Sequence, residues 1–164
     1  MRAIVPRTIL LSMAVLGIGC YESEFPLDPA PQIQTDSRLM GAWRCVSPDA
    51  GDEAFTLTVD GSRDRTYAIT WKESGKPPDR FEGYASSLKA TTLVNVRDVA
   101  ATQKRWYFIH YVFPRPNVLL IRVIHEGLLK GVVQSPATVR RTIEREQLNP
   151  SLYEDLIVCV RRQP

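Results

Sequence analysis

From residue 54 onward the chain alternates. In Ala54-Phe-Thr-Leu-Thr-Val59 the apolar positions Phe55, Leu57 and Val59 fall on one side and Thr56 and Thr58 on the other. That is the two-residue period of a half-buried strand. Tyr67, Ile69 and Trp71 repeat it around Ala68 and Thr70. Asp60-Gly-Ser62 and Ser74-Gly-Lys-Pro-Pro78 interrupt the pattern with residues that favour turns. Trp43 to Val46 opens the series, and Phe81 to Leu88 and Thr92 to Val96 continue it across a tight connection near Lys89-Ala90. Arg105 to Phe113 and Asn117 to Ile124, joined by Pro114-Arg-Pro116, are apolar on both faces. One face of that pair is therefore expected to meet the helix or another layer.

A single helix is predicted from Ser135. Its hydroxyl suits an N-cap, Pro136 suits the first helical position, and Asn149-Pro150 ends the run. Val139 and Ile143 share one face, and Arg140, Arg141, Glu144 and Arg145 point mostly outward. Leu156 to Arg161 forms the closing strand. The economical arrangement is mainly β: an antiparallel up-and-down barrel of about eight strands with one helix in the C-terminal region. Closure removes exposed sheet edges. A barrel of this size is filled by side chains or holds one small ligand.

The first residues read differently. Arg2 and Arg7 precede an apolar run from Ile9 to Ile18, as in an export signal. The run is shorter than the roughly 20 residues a membrane span needs. Gly17-Ile18-Gly19-Cys20 resembles the lipobox of bacterial lipoproteins. The resemblance implies cleavage before Cys20, acyl chains such as palmitate on that residue, and a membrane-anchored protein in the cell envelope. Tyr21, where aspartate would retain an enteric lipoprotein in the inner membrane, implies the outer membrane, facing the periplasm. An ordinary secretory leader and an uncleaved anchor are the alternatives. The chain thus divides into a leader (1–19), an acylated cysteine with a Pro-rich tether (20–36) and a barrel domain (37–164). Pro26, Pro29 and Pro31 among Glu22, Glu24 and Asp28 suggest a semi-extended spacer.

Composition narrows the function. Two of the 21 basic residues lie in 1–19, leaving 19 against 18 acidic residues, a balance of +1. Nucleic acid is not an expected partner of so neutral a domain. With Cys20 acylated, Cys45 and Cys159 remain, and in an exported chain that arithmetic favours a disulfide over two free thiols.

Leu39-Met-Gly-Ala-Trp43 resembles the opening of a lipocalin-like domain. In that family the tryptophan packs at the barrel base against an arginine near the end of the barrel, a role that Arg161 or Arg162 would fill here. If the first and last strands pair antiparallel with Cys45 opposite Cys159, then Trp43 falls opposite Arg161, on the same face. One register thus serves both the bridge and the closure pair Trp43 and Arg161.

Catalytic chemistry is sparse. His110 and His125 are the only histidines, and neither sits in a metal-ligand spacing. Asp60 to Asp64 and Asp49 to Glu53 lack the ligand series of a calcium loop and read as turns. Ser74-Gly-Lys76 is not a phosphate loop, and no serine lies in a nucleophile elbow. No enzyme activity, cofactor or metal is expected. The candidate pocket residues are Tyr67, Trp71, Trp106, Phe108 and His110, with Tyr111 beside them. The expected function is binding of a small hydrophobic ligand or lipid by a membrane-anchored lipoprotein. The alternative is a protein-interaction module, an envelope assembly factor or inhibitor, with a solid barrel core.

Overall fold

The computed structural model describes residues 23–48, 53–89, 91–103, 105–125, 127, 129 and 135–162. Cys20 and the residues read as a leader (1–19) lie outside them, as do residues 49–52 of the stretch read as an acidic turn. Eight strands form: β1 (Gly41–Val46), β2 (Phe55–Gly61), β3 (Tyr67–Lys72), β4 (Asp79–Leu88), β5 (Thr91–Asp98), β6 (Tyr107–Arg115), β7 (Val118–Ile124) and β8 (Tyr153–Arg161). Each pairs antiparallel with the next, and β8 returns to β1, so the sheet closes into a barrel in sequence order. One helix, α1 (Pro136–Glu146), precedes β8. Ser135 caps it, its hydroxyl accepting from the Thr138 N–H at 3.3 Å. The helix ends before Asn149-Pro150, which instead begins a one-turn 3-10 helix, Pro150–Leu152.

The seam follows the predicted register. Trp43 faces Arg161, and Cys45 faces Cys159. The two cysteines form a disulfide across a Cα–Cα distance of 4.0 Å, short enough for a non-hydrogen-bonded antiparallel pair. Both are fully buried.

The base of the barrel is sealed beside this seam. The Trp43 ring is fully buried, and its Nε1–H donates to the Leu39 carbonyl at 2.9 Å. The Arg161 guanidinium lies 4.2 Å from the centre of that ring. It donates to the carbonyls of Met40 at 2.6 Å and Arg38 at 2.5 Å. Gly41 permits this approach: its φ is +114°, and a Cβ there would stand 2.9 Å from Arg161 Nη1. The Gly-x-Trp spacing is therefore the footprint of the arginine. Replacing Arg161 by lysine keeps the charge but loses the planar fork and the stack. We expect a loss of about 1–2 kcal/mol in urea unfolding. An unchanged midpoint would show that the stack contributes nothing.

Two apolar layers result. Inside, Leu57, Val59, Tyr67, Val94, Val96, Leu119, Ile121 and Ile157 form one cluster. Outside, the opposite faces of β4 to β7 form a second with α1 and the N-terminal segment, centred on Leu27, Leu88, Leu93, Phe108, Val139 and Ile143. The stretch read as a spacer is docked over residues 23–36. Ser23 and Trp106 exchange backbone hydrogen bonds of 2.8 Å. Leu27 is 2 % exposed, and its N–H donates to Asn95 Oδ1 at 2.8 Å. Asp28 pairs with Arg140 of α1 at 2.8 Å. The segment descends the barrel wall to Asp36, whose N–H donates to the Tyr67 hydroxyl at 2.7 Å. Its prolines keep it extended, but Phe25 and Leu27 give it a face to bury.

Candidate functional site

The barrel encloses a cavity of about 770 Å³, within the range of ligand pockets. Strand parity decides what lines it. Phe55, Leu57 and Val59 point in from β2, and Tyr67, Ile69 and Trp71 from β3. Val94 and Val96 enter from β5, and Tyr107, Ile109 and Tyr111 from β6. Each set alternates with residues outside, as two-residue periodicity requires.

The two ends differ. At the base, Leu39, Trp43 and the arginine cap close the interior. At the other end, Ser47, Glu53, Glu73, Lys76 and Asp79 line the cavity, and Glu53, Lys76 and Asp79 are exposed. This end is the mouth. Several inward side chains, among them Ile69, Trp71, Tyr107, Ile109 and Tyr111, are only half-buried although they face the barrel axis. A solid core would have covered them.

Aromatic rings shape the mouth. Phe55 and Trp71 stack with centroids 3.7 Å apart and planes 15° apart. The Trp71 indole N–H donates to Glu73 Oε1 at 3.2 Å, and Lys76 forms an ion pair with Glu73. The polar groups nearest the base are the Tyr67 and Tyr111 hydroxyls. Tyr111 donates to Asp36 Oδ2 at 3.2 Å. Burial pushes the Tyr67 hydroxyl above its ordinary range. Burial, then the Asp36 charge, pushes Tyr111 further. Hydrogen bonding by Arg38 holds the Asp36 carboxyl below its usual value against desolvation. The two hydroxyls thus stay protonated, neutral hydrogen-bonding groups on an apolar wall.

The sequence-based candidates divide. Tyr67 and Trp71 line the cavity, as does Tyr111. Trp106, Phe108 and His110 do not, and that expectation is corrected. Phe108 and His110 lie on the outer face of β6, opposite to Tyr107, Ile109 and Tyr111, and Trp106 stands just before the strand. Phe108 is buried in the outer cluster, where Trp106 packs against it. Trp106 meets Tyr84 edge-on at 5.6 Å and lies under the Arg97 guanidinium at 5.4 Å. His110 packs on the Tyr153 ring at 5.1 Å. Desolvation, and then the Arg122 charge, pulls its pKa below the ordinary histidine value. Both faces of β6 are apolar, so composition could not tell which turned inward. Ile109 and Asp36 were missed. Ile109 was recoverable from parity once Tyr111 was placed inside, whereas Asp36 becomes adjacent to the tyrosines only through the path of residues 23–36.

His125 pairs with Glu154, which stands opposite the cavity-lining Val123 where β7 meets β8. Among the described residues, no three His, Cys, Asp or Glu side chains are grouped so as to hold a metal ion. None of the described helices is long and apolar enough to cross a membrane. No family model, no curated protein and no solved structure matches the chain.

Proposed function

We propose that this protein is a non-enzymatic lipoprotein of the cell envelope, held to the outer membrane by acyl chains on Cys20 and facing the periplasm. On this reading it binds one small hydrophobic molecule or lipid in a lipocalin-like barrel. The lipobox-like Gly17-Ile18-Gly19-Cys20 supports the anchor, and the base-closing pair Trp43 and Arg161 supports the likeness to lipocalins. The observation that carries the ligand is the hollow interior: apolar walls, two neutral hydroxyls and one polar mouth. Such a site gains affinity by removing apolar surface from water, about 25 cal/mol per Å², and has few groups that would act on a bond. The interaction-module alternative has a solid barrel core, and the cavity weighs against it.

Filling the cavity tests this. Ile109→Trp projects an indole into the interior from the middle of β6. The measurement is titration of the purified protein with a fluorescent fatty acid, alongside urea unfolding. We expect at least about tenfold weaker binding, equivalent to roughly 1.4 kcal/mol, with little loss of stability. In a packed core the same change would cost about 1–3 kcal/mol. Destabilisation without any measurable binding by the unaltered protein would refute the hollow-barrel function.

A further inference from the structure

We infer that the mouth of the barrel is held against the bilayer surface, so that the cavity exchanges its occupant directly with the membrane. The inference rests on the proposed acylation of Cys20.

Covalent reach sets the geometry. Ser23 is fixed by its paired backbone bonds to Trp106, and Trp106 precedes β6 at the mouth end. Cys20 is only three residue steps from Ser23, with Tyr21 and Glu22 between them. A fully extended chain of that length spans at most about 11 Å. The barrel is longer: β2 alone has seven residues, about 24 Å along the strand and roughly 18 Å along the barrel axis at the usual strand tilt. An anchor starting at the rim cannot pass the barrel to place the base on the membrane. The wall contacts of Leu27, Asp28 and Asp36 keep the remainder of the segment from paying out as slack.

The surface agrees independently. Among the described residues the two most exposed large apolar side chains are Leu148, at 91 %, and Val99, at 58 %. Val99 lies in the connection from β5 to β6. Leu148 lies in the connection from α1 to β8, shortly before Leu152, whose carbonyl accepts from the His125 N–H at 2.8 Å. Both connections enter the barrel at the mouth end. The occupant that fits is a lipid interface, into which apolar side chains on a polar surface settle to about 5–10 Å. Cys20 and the mouth would then meet the same leaflet, and an apolar ligand would not have to cross water to enter.

The test uses the full chain, processed in a bacterial host and reconstituted into phosphatidylethanolamine–phosphatidylglycerol vesicles containing brominated acyl chains. Val99→Cys at the mouth, Asn117→Cys in the exposed base turn and Val112→Cys on the flank each receive a thiol-reactive fluorophore. Intact mass is measured first. We expect acylated Cys20 and quenching severalfold stronger at 99 than at 112 or 117. Missing acyl mass overturns the anchored reading and this inference with it. Acylated protein quenched equally or more at 112 or 117 overturns the orientation alone.

Discussion

Replacing Cys45 and Cys159 together by alanine is expected to lower the unfolding free energy by about 2–5 kcal/mol. The two residues are separated by 114 positions, so the bond links nearly the whole barrel into one loop. In the chain-entropy account a loop of about 100 residues is worth up to roughly 4.7 kcal/mol at 25 °C. Position strengthens the case. The bridge lies on the seam where β1 meets β8, and that closure is the least local pairing in the fold. Breaking it restores to the unfolded ensemble the conformations in which the chain ends are far apart. The signature is double: a lower urea midpoint and a larger m-value, because the unfolded chain exposes more surface once freed. The native barrel should still close, since Trp43 and Arg161 remain opposed on the same strands. Equal midpoints for the oxidised protein and the double variant would show that the seam is held by packing alone.

Much of this fold was legible because local signals agreed with one another. Alternation placed the strands, Ser135-Pro136 placed the start of α1, and the spacing of Trp43, Cys45, Cys159 and Arg161 fixed the register of the seam. Proline and glycine marked the turns between hairpins. Inside and outside were legible only where a strand is polar on one face. On β2, threonines mark the outer side, and Phe55, Leu57 and Val59 were assigned inward without ambiguity. On β6, Phe108 and Ile109 are both apolar, and what buries Phe108 is chain more than 25 residues distant along the sequence: Leu27 from one direction, Val139 and Ile143 from the other. Period-two arguments cannot supply that information. The segment before β1 misled for a related reason. Its prolines and acids describe its backbone preference correctly, but a few residues, Leu27 above all, decide whether extended chain stays in water.

Asn95→Leu is expected to cost about 2–4 kcal/mol, although the two side chains are similar in size. Asn95 is fully buried on the outer face of β5. Its amide donates to the Tyr84 carbonyl at 3.1 Å and Ser86 Oγ at 2.8 Å, while its oxygen accepts the Leu27 N–H at 2.8 Å. No backbone ladder serves Leu27 there, so the asparagine substitutes for a neighbouring strand. Leucine strands a buried N–H and leaves the Ser86 hydroxyl short of a partner, each at a cost of about 1–3 kcal/mol. Those costs do not simply add, because residues 23–36 can lift away and rehydrate. Lifting, however, exposes Leu27 and Phe25 and loosens the Asp28 contact with Arg140, so escape is itself worth a few kcal/mol. The site therefore limits the loss but cannot avoid it. Limited proteolysis separates the two routes. Cleavage within 24–35 that appears in the variant well below its unfolding midpoint shows the segment detaching from an intact barrel. Retained protection with a lowered midpoint shows the unsatisfied groups held in place. An unaltered midpoint with unaltered protection would mean that the asparagine does not clasp the segment, which the Ser23–Trp106 backbone bonds and the Asp28–Arg140 pair then hold without it.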